Sequence, residues 1–276
     1  MARELKDLSK LCVHTITTKP WPIEKAAREF SEAGIGGITV WREALTGRNI
    51  TATGNMLRDM NLEVVSLCRG GFFPALTAGA RQAAIEDNRK AIDEAAELGA
   101  PLVVLVCGAA PGQSLTESRK QIQDGIAACL PHAAAAGVKL AIEPLHPMYA
   151  GDRSAINTLA QANDMAEALN SPWAGIAVDV YHLWWDPDLE AQIRRCGQNG
   201  HLSAFHICDW KTPTLDMLND RGLMGEGCID LKQIRGWVES TGFQGFHEVE
   251  IFSDIYWKQD QHRFLDKIKV GYLKHS

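Results

Sequence analysis

Short apolar runs rich in β-branched residues alternate with longer segments of helical periodicity along almost the whole chain. A helical segment between two strands gives a crossover of a dozen residues or more, which is the connection that parallel strands need. The alternation repeats eight times, with apolar runs at 11–15, 36–41, 62–68, 101–108, 138–144, 174–182, 202–210 and 245–252. Eight strand–helix units in 276 residues fit a closed (β/α)8 barrel, which typically contains about 250 residues, better than an open sheet.

The helical segments complete this pattern without interruption. They lie at 23–34, 50–60, 77–98, 116–136, 154–169, 186–196, 230–241 and 256–272. The sequence contains no low-complexity segment and no linker long enough to separate domains. We therefore predict one α/β domain, a (β/α)8 TIM barrel over residues 1–276.

Four apolar runs in the C-terminal half end at or near a side chain that can bind a metal: Glu143, Asp179, His206 and Glu250. The intervals between them, 179 − 143 = 36, 206 − 179 = 27 and 250 − 206 = 44, each span about one strand–helix unit. The C-terminal ends of barrel strands meet at one face, where barrel enzymes have their active sites. Three carboxylates at one point repel each other strongly in a partly dry site, and a divalent cation removes that repulsion. This set of ligands suits Mn²⁺ or Mg²⁺, with Co²⁺ or Zn²⁺ as alternatives.

The alternative interpretation is purely structural. Taken singly, each carboxylate could pair with a nearby Lys or Arg, and the histidine could be a core residue. The common register of all four side chains favours the metal site.

Further polar and aromatic side chains follow the ends of the same barrel strands. An ordinary loop role is the alternative for each of them. The candidates for substrate contact are His14, Trp41, His146, Arg153, His182 and Arg221, and Arg69 and Phe72 are further residues that could wall the mouth of the site.

Glu248 precedes Glu250 by two residues, so strand alternation places both on the same side, with Glu248 one layer deeper in the barrel. A buried carboxylate must be paired. We expect Glu248 to meet His14 or another polar group on a neighbouring strand. Glu250 is the predicted metal ligand because it lies nearer the C-terminal end of its strand.

Composition argues against several classes of protein. A net charge of −6 disfavours nucleic acid and anionic membranes as partners. The seven cysteines form no CxxC pair, and several lie inside apolar runs, which is typical of reduced core cysteines in a cytoplasmic protein. The charged first residues precede no long apolar segment, so we expect neither a signal peptide nor a membrane span.

The segments IEPLHP, DVYH, FHICDW and GFQGFHEVEIF resemble the xylose isomerase-like TIM barrel superfamily, the sugar phosphate isomerase and epimerase group, over nearly the whole chain. Among its members, the ketose 3-epimerases are the most similar in mechanism. That resemblance implies one divalent metal bound by the four residues above and proton exchange with the substrate by Glu143 and Glu250. It also implies substrate contacts from His182 and Arg221.

The resemblance implies an enzyme that removes a proton next to the carbonyl group of a small sugar, sugar phosphate or cyclitol and proceeds through a metal-bound enediolate. Reprotonation would make it an epimerase or isomerase. Loss of a β-substituent would make it a lyase or dehydratase of a keto-sugar, keto-glycoside or inosose. An abasic-site endonuclease and a non-catalytic sugar-binding barrel are less favoured, the first because it needs a multi-metal cluster and a basic groove. Such barrels are often dimers or tetramers, and the sequence does not decide between them and a monomer.

Overall fold

The computed structural model describes residues 4–276. Its ten strands are β1 (Leu11–His14), β2 (Gly37–Trp41), β3 (Glu63–Gly71), β4 (Leu102–Val106), β5 (Lys139–Glu143), β6 (Ala174–Asp179), β7 (Leu202–Ile207), β8 (Asp209–Trp210), β9 (Arg221–Gly222) and β10 (His247–Val249). Eight of them close into a barrel in the order β1-β10-β7-β6-β5-β4-β3-β2. All neighbouring barrel strands are parallel, which confirms the predicted (β/α)8 fold.

Helices surround the barrel: α1 (Ile23–Glu32), α2 (Ile50–Asp59), α3 (Ala78–Leu98), α4 (Leu115–Ala136), α5 (Leu159–Leu169), α6 (Val180–Leu183), α7 (Leu189–Gln198), α8 (Leu231–Ser240) and α9 (Gln261–His275), with 3-10 turns at Arg42–Leu45, Pro147–Tyr149 and Tyr256–Lys258. Local chemistry fixes their ends. The hydroxyl of Thr77 accepts a hydrogen bond from the Ala80 amide at the start of α3, and Gly99 ends that helix with a φ of 85°, in the left-handed region that glycine adopts without strain. No helix within residues 4–276 is long and apolar enough to cross a membrane.

Several predicted boundaries were wrong. The helix predicted from residue 154 begins at Leu159, because the Thr158 side chain caps it. The apolar run 174–182 is a strand only as far as Asp179, whose carboxylate accepts from the Tyr181 amide at 2.7 Å and starts α6. The last barrel strand covers only His247–Val249. The seventh run divides into β7 and β8, and β8 pairs with β9 in an antiparallel hairpin that was not predicted.

Small side chains line the inside of the barrel. Ala141, Ala177 and Ala204 are fully buried there in an inner cluster separate from the large core that packs between the strands and the helices. These short side chains leave room within the closed ring for polar groups at the strand ends. The seven cysteines are all free, as predicted, and six of them are buried.

His247 on β10 lies between the barrel and the helices α8 and α9. Its Nδ1 is 3.0 Å from the hydroxyl of Tyr272, and its Nε2 is 3.8 Å from Glu239 Oε1. Burial, helped by the nearby charges of Arg235 and Lys10, lowers the pKa of His247 to about 4. The folded protein therefore keeps this imidazole neutral.

We expect this histidine to make the protein less stable in acid. In the unfolded chain it binds a proton below about pH 6.5, whereas in the folded protein it stays neutral down to about pH 4. The free energy of unfolding therefore decreases as the pH falls through this interval, by up to about 3 kcal/mol from this residue. Urea unfolding of the wild type and of His247→Gln across the interval measures the effect.

The variant should show a shallower loss of stability with pH than the wild type. His132→Gln is the control for removal of one imidazole, because His132 is 38% exposed, and its loss of stability with falling pH should be steeper than that of His247→Gln. Equal pH dependence of the wild type and His247→Gln would show that this prediction is wrong.

Candidate active site

The four predicted metal ligands lie together at the C-terminal end of the barrel. Glu143 and Asp179 are the last residues of β5 and β6, His206 lies in β7, and Glu250 directly follows β10. Each residue offers one potential ligand atom, and these four atoms all lie within 4.8 Å of one another. All four residues are at most 4% exposed. The barrel thus gathers three carboxylates and one imidazole in a buried cluster.

Several polar atoms of this cluster have no hydrogen-bond partner. His206 Nδ1 lies 3.0 Å from Glu143 Oε1, but within residues 4–276 neither atom makes a hydrogen bond, and neither does His206 Nε2. Buried polar atoms are nearly always paired, so these atoms are available to a further ligand. A divalent cation accepts lone pairs from both a carboxylate oxygen and an imidazole nitrogen. The residues therefore fit such a cation.

Arg221 reaches the same cluster from the β8–β9 hairpin. Its Nη1 donates to Glu250 Oε2 at 2.7 Å and to Asp179 Oδ2 at 3.2 Å. Burial would raise the pKa of Glu250, but Arg221 and His14 hold it well below its usual range. Burial raises the pKa of Asp179 to about 7, although Arg221 opposes this. Glu250 is thus an ionised carboxylate that can accept a proton.

Glu248 lies beneath the cluster and is paired as predicted. Its Oε2 accepts hydrogen bonds from Thr39 at 2.6 Å and Ser66 at 3.2 Å, and His14 Nε2 lies 3.3 Å away. The other ring nitrogen of His14 is 3.2 Å from Glu250 Oε1. These three contacts pair Glu248 as predicted, and Glu248 also forms, with His14 and His206, a second group of side chains whose potential metal-ligand atoms lie within 4.8 Å of one another.

A cavity of about 240 Å³ opens at the cluster. Its lining includes both predicted catalytic carboxylates and four of the predicted substrate contacts: Glu143, Glu250, Trp41, Arg153, His182 and Arg221. The predicted direct contacts of His14 and His146 are not supported by this geometry, because neither residue lines the cavity. His14 is fully buried between Glu248 and Glu250, and His146 stacks on Trp210 at 5.0 Å.

His182 lies beside Arg221 in the lining of the cavity. Its Nε2 lies 3.4 Å from Arg221 Nη2 and 3.7 Å from Asp179 Oδ2. Burial and the charge of Arg221 lower the pKa of His182 well below its usual range. A neutral imidazole at this place can exchange hydrogen bonds with a substrate hydroxyl.

The loop between β8 and β9 covers one side of the cavity. The hydroxyls of Tyr149 and Tyr181 both donate to the carbonyl of Met217, and the neighbouring Leu218 lines the cavity. Sequence reasoning missed these residues, because a single tyrosine or leucine in a loop carries no periodic signal. The position of this loop limits the access of water to the carboxylates.

Comparison with known proteins identifies the family. Residues 27–268 match the family model described as xylose isomerase-like TIM barrel. The match covers most of the chain, and the chain therefore belongs to the xylose isomerase-like TIM barrel family. The predicted resemblance is confirmed.

Individual relatives are similar to different degrees. The crystal structure of a protein from Sinorhizobium meliloti 1021 has a TM-score of 0.93 and 48% identity, over 96% of this chain and 98% of that one. The structure of IolI protein with a bound zinc atom has a TM-score of 0.83 and 21% identity, over 96% of each chain. An inosose isomerase of Bacillus licheniformis is 29% identical over 126 residues, which are 44% of this chain and 43% of that protein. The alignment thus spans less than half the length of this curated relative.

Proposed function

We propose that the protein is a divalent-metal-dependent isomerase or epimerase of a small sugar or cyclitol ketone. The observation that carries the proposal is the buried cluster of Glu143, Asp179, His206 and Glu250 at the cavity. Membership of the xylose isomerase-like family supports it, as does the partial similarity to an inosose isomerase, because an inosose is a cyclic polyol ketone.

The donor set of three carboxylates and one imidazole favours Mn²⁺ or Mg²⁺, with Co²⁺ or Zn²⁺ as alternatives. The zinc atom of the similar IolI barrel supports a divalent ion at the site of this chain. When bound, the ion would polarise a substrate carbonyl group and acidify the neighbouring C–H bond. Its ligands would be the four clustered residues.

The protein's own residues would carry the proton. Glu250, kept ionised by Arg221 and His14, can accept the substrate proton at a carboxylate oxygen, and Glu143, which lines the same cavity, can donate a different proton, taken up from solvent, to the substrate. Transfer by two carboxylates from two faces of the substrate gives epimerisation, and return to the adjacent carbon gives isomerisation. His182 and Arg221 would orient the substrate hydroxyls. The apolar rings of Trp41 and Phe252, which also line the cavity, would exclude water.

A solvent-exchange experiment tests this function. The protein loaded with Mn²⁺ is incubated in D₂O with D-fructose, D-ribulose, D-ribulose 5-phosphate, D-fructuronate or inosose, and the substrate is followed by NMR. We expect deuterium to enter at the carbon next to the carbonyl with at least one probe, and metal-free protein to show no exchange. Absence of exchange with every probe by metal-saturated protein would instead indicate a non-catalytic barrel.

A further inference from the structure

Within residues 4–276, the side chains of two arginines that line the cavity form no salt bridge, and we infer that they bind an anionic oxygen group, a carboxylate or a phosphate, on the substrate. These residues are Arg69 and Arg153. The inference rests on the proposed function in one respect, namely that this cavity receives the substrate. It narrows the proposed substrate to one that carries an acidic group, such as a keto-sugar acid or a sugar phosphate.

The two arginines come from different parts of the chain and meet in one place. Arg69 lies in β3, near its C-terminal end, and Arg153 lies in the loop after β5. Both line the same cavity as Glu143 and Glu250. A substrate whose carbonyl end lies at the two carboxylates is therefore within the same enclosure as both guanidinium groups.

Aromatic rings hold the faces of these guanidinium groups. Arg69 Cζ lies 4.3 Å from the ring centroid of Phe72, and Arg153 Cζ lies 5.7 Å from that of Tyr149. A ring beneath a guanidinium plane leaves the N–H groups at its edge free to donate. Those edges are what a carboxylate or a phosphate binds.

Neither side chain makes a hydrogen bond or a salt bridge of 4.0 Å or less to any residue in the described range 4–276. Other partly buried arginines behave differently: Arg42, for example, pairs with both Asp87 and Glu94. Burial lowers the pKa of Arg69, and although Glu43 opposes this, the charge of Arg153 lowers it further. Two like charges in a half-buried place are unfavourable without an anion, which indicates that one is bound in use.

The balance of charges that line the cavity also favours an anionic ligand. The cations are Lys19, Arg69, Arg153 and Arg221, and the carboxylates are Glu43, Glu143 and Glu250. Arg221 is taken by Glu250 and Asp179, and Glu143 belongs to the predicted metal site. Three cations then remain with a single carboxylate, Glu43, so an anionic ligand would balance the charge. A volume of about 240 Å³ restricts that ligand to a small molecule.

Calorimetric titration with matched probes tests the inference. D-ribulose 5-phosphate is compared with D-ribulose, D-fructuronate with D-fructose, and inosose serves as a neutral cyclic probe. Titrations use Mn²⁺-loaded protein and are repeated on metal-free protein, so that phosphate bound to the ion is recognised. The wild type should bind at least one charged probe about tenfold or more tightly than its neutral partner. A hydrogen bond to a charged group typically contributes more binding energy than a tenfold difference in affinity requires. The preferred pair identifies the group as a phosphate or a carboxylate.

The variant Arg69→Met/Arg153→Met should lose the preference for the charged probe. Arg69→Lys keeps the positive charge and should retain part of the preference. This single variant shows whether a loss of binding in the double variant comes from a folding defect. Arg28→Met is the matched control, because Arg28 is exposed on α1 and should leave the preference unchanged. The inference fails if neutral probes, inosose included, bind as tightly as charged ones, if no charged probe binds, or if the double variant keeps the preference.

The outcome is separable from that of the proposed function. Arginine-dependent binding of a charged probe without deuterium exchange would refute the proposed reaction and leave this inference standing. Deuterium exchange with neutral and charged probes that bind with equal affinity would refute this inference and leave the proposed reaction standing.

Discussion

Glu143→Gln and Glu250→Gln should each abolish measurable turnover, with a loss of about a thousandfold or more. An amide has nearly the shape of a carboxylate but cannot take up a proton at neutral pH, and a positioned acid or base contributes about 10² to 10⁴ in rate. Each substitution also removes a negatively charged oxygen from the clustered ligand atoms and should weaken metal binding. The measurements are the deuterium-exchange rate and the bound metal per chain, both over a range of Mn²⁺ concentrations.

The metal dependence separates the two roles of each glutamate. A variant that fills with metal and still exchanges no deuterium has lost its acid or base, whereas one that recovers at high Mn²⁺ has lost only a ligand. Glu97→Gln is the control, because Glu97 is exposed on α3, and it should keep wild-type rates. Near-normal activity of either active-site variant after metal removal would refute the proposed chemistry.

The meeting of the four predicted ligands could be predicted because it follows from topology alone. Once eight parallel strands close into a ring, the last residues of successive strands lie at one face. Glu143 and Asp179 end their strands, and the length of one strand–helix unit carries the chain from each ligand to the next. The depth of Glu248 followed from strand alternation in the same way. These inferences needed periodicity and no detail of packing.

The surroundings of the cluster were less predictable, because they depend on loops. The β8–β9 hairpin that carries Arg221 has strands of only two residues, too short for a periodic pattern. Its shape depends on Asp209, whose carboxylate accepts from the amides of Gly225, Gly227 and Ile229. The spacing of these residues in the sequence does not predict these hydrogen bonds. His146 stacks on Trp210, which belongs to the same hairpin. The predicted contact of His146 with the substrate is not supported for this reason.

Removal of the Glu248 carboxylate should cost about 3 to 5 kcal/mol in the free energy of unfolding, as is typical when one partner of a buried charged network is lost. Glu248 is 1% exposed, and it satisfies Thr39, Ser66 and His14 from inside the barrel. In Glu248→Ala these buried groups lose their acceptor and a cavity forms beside them, and both effects favour the unfolded chain. Urea unfolding at neutral pH measures the difference.

A pair of side chains on the surface provides the control for this measurement of stability. His132 Nε2 and Asp93 Oδ1 lie 2.7 Å apart, but their side chains are 38% and 57% exposed. In Asp93→Ala, water solvates the imidazole that has lost its partner, so the substitution should change stability by less than about 1 kcal/mol. If Glu248→Ala proved as mild as Asp93→Ala, the buried hydrogen bonds to Glu248 would contribute no more to stability than a pair on the surface, and the prediction would be wrong.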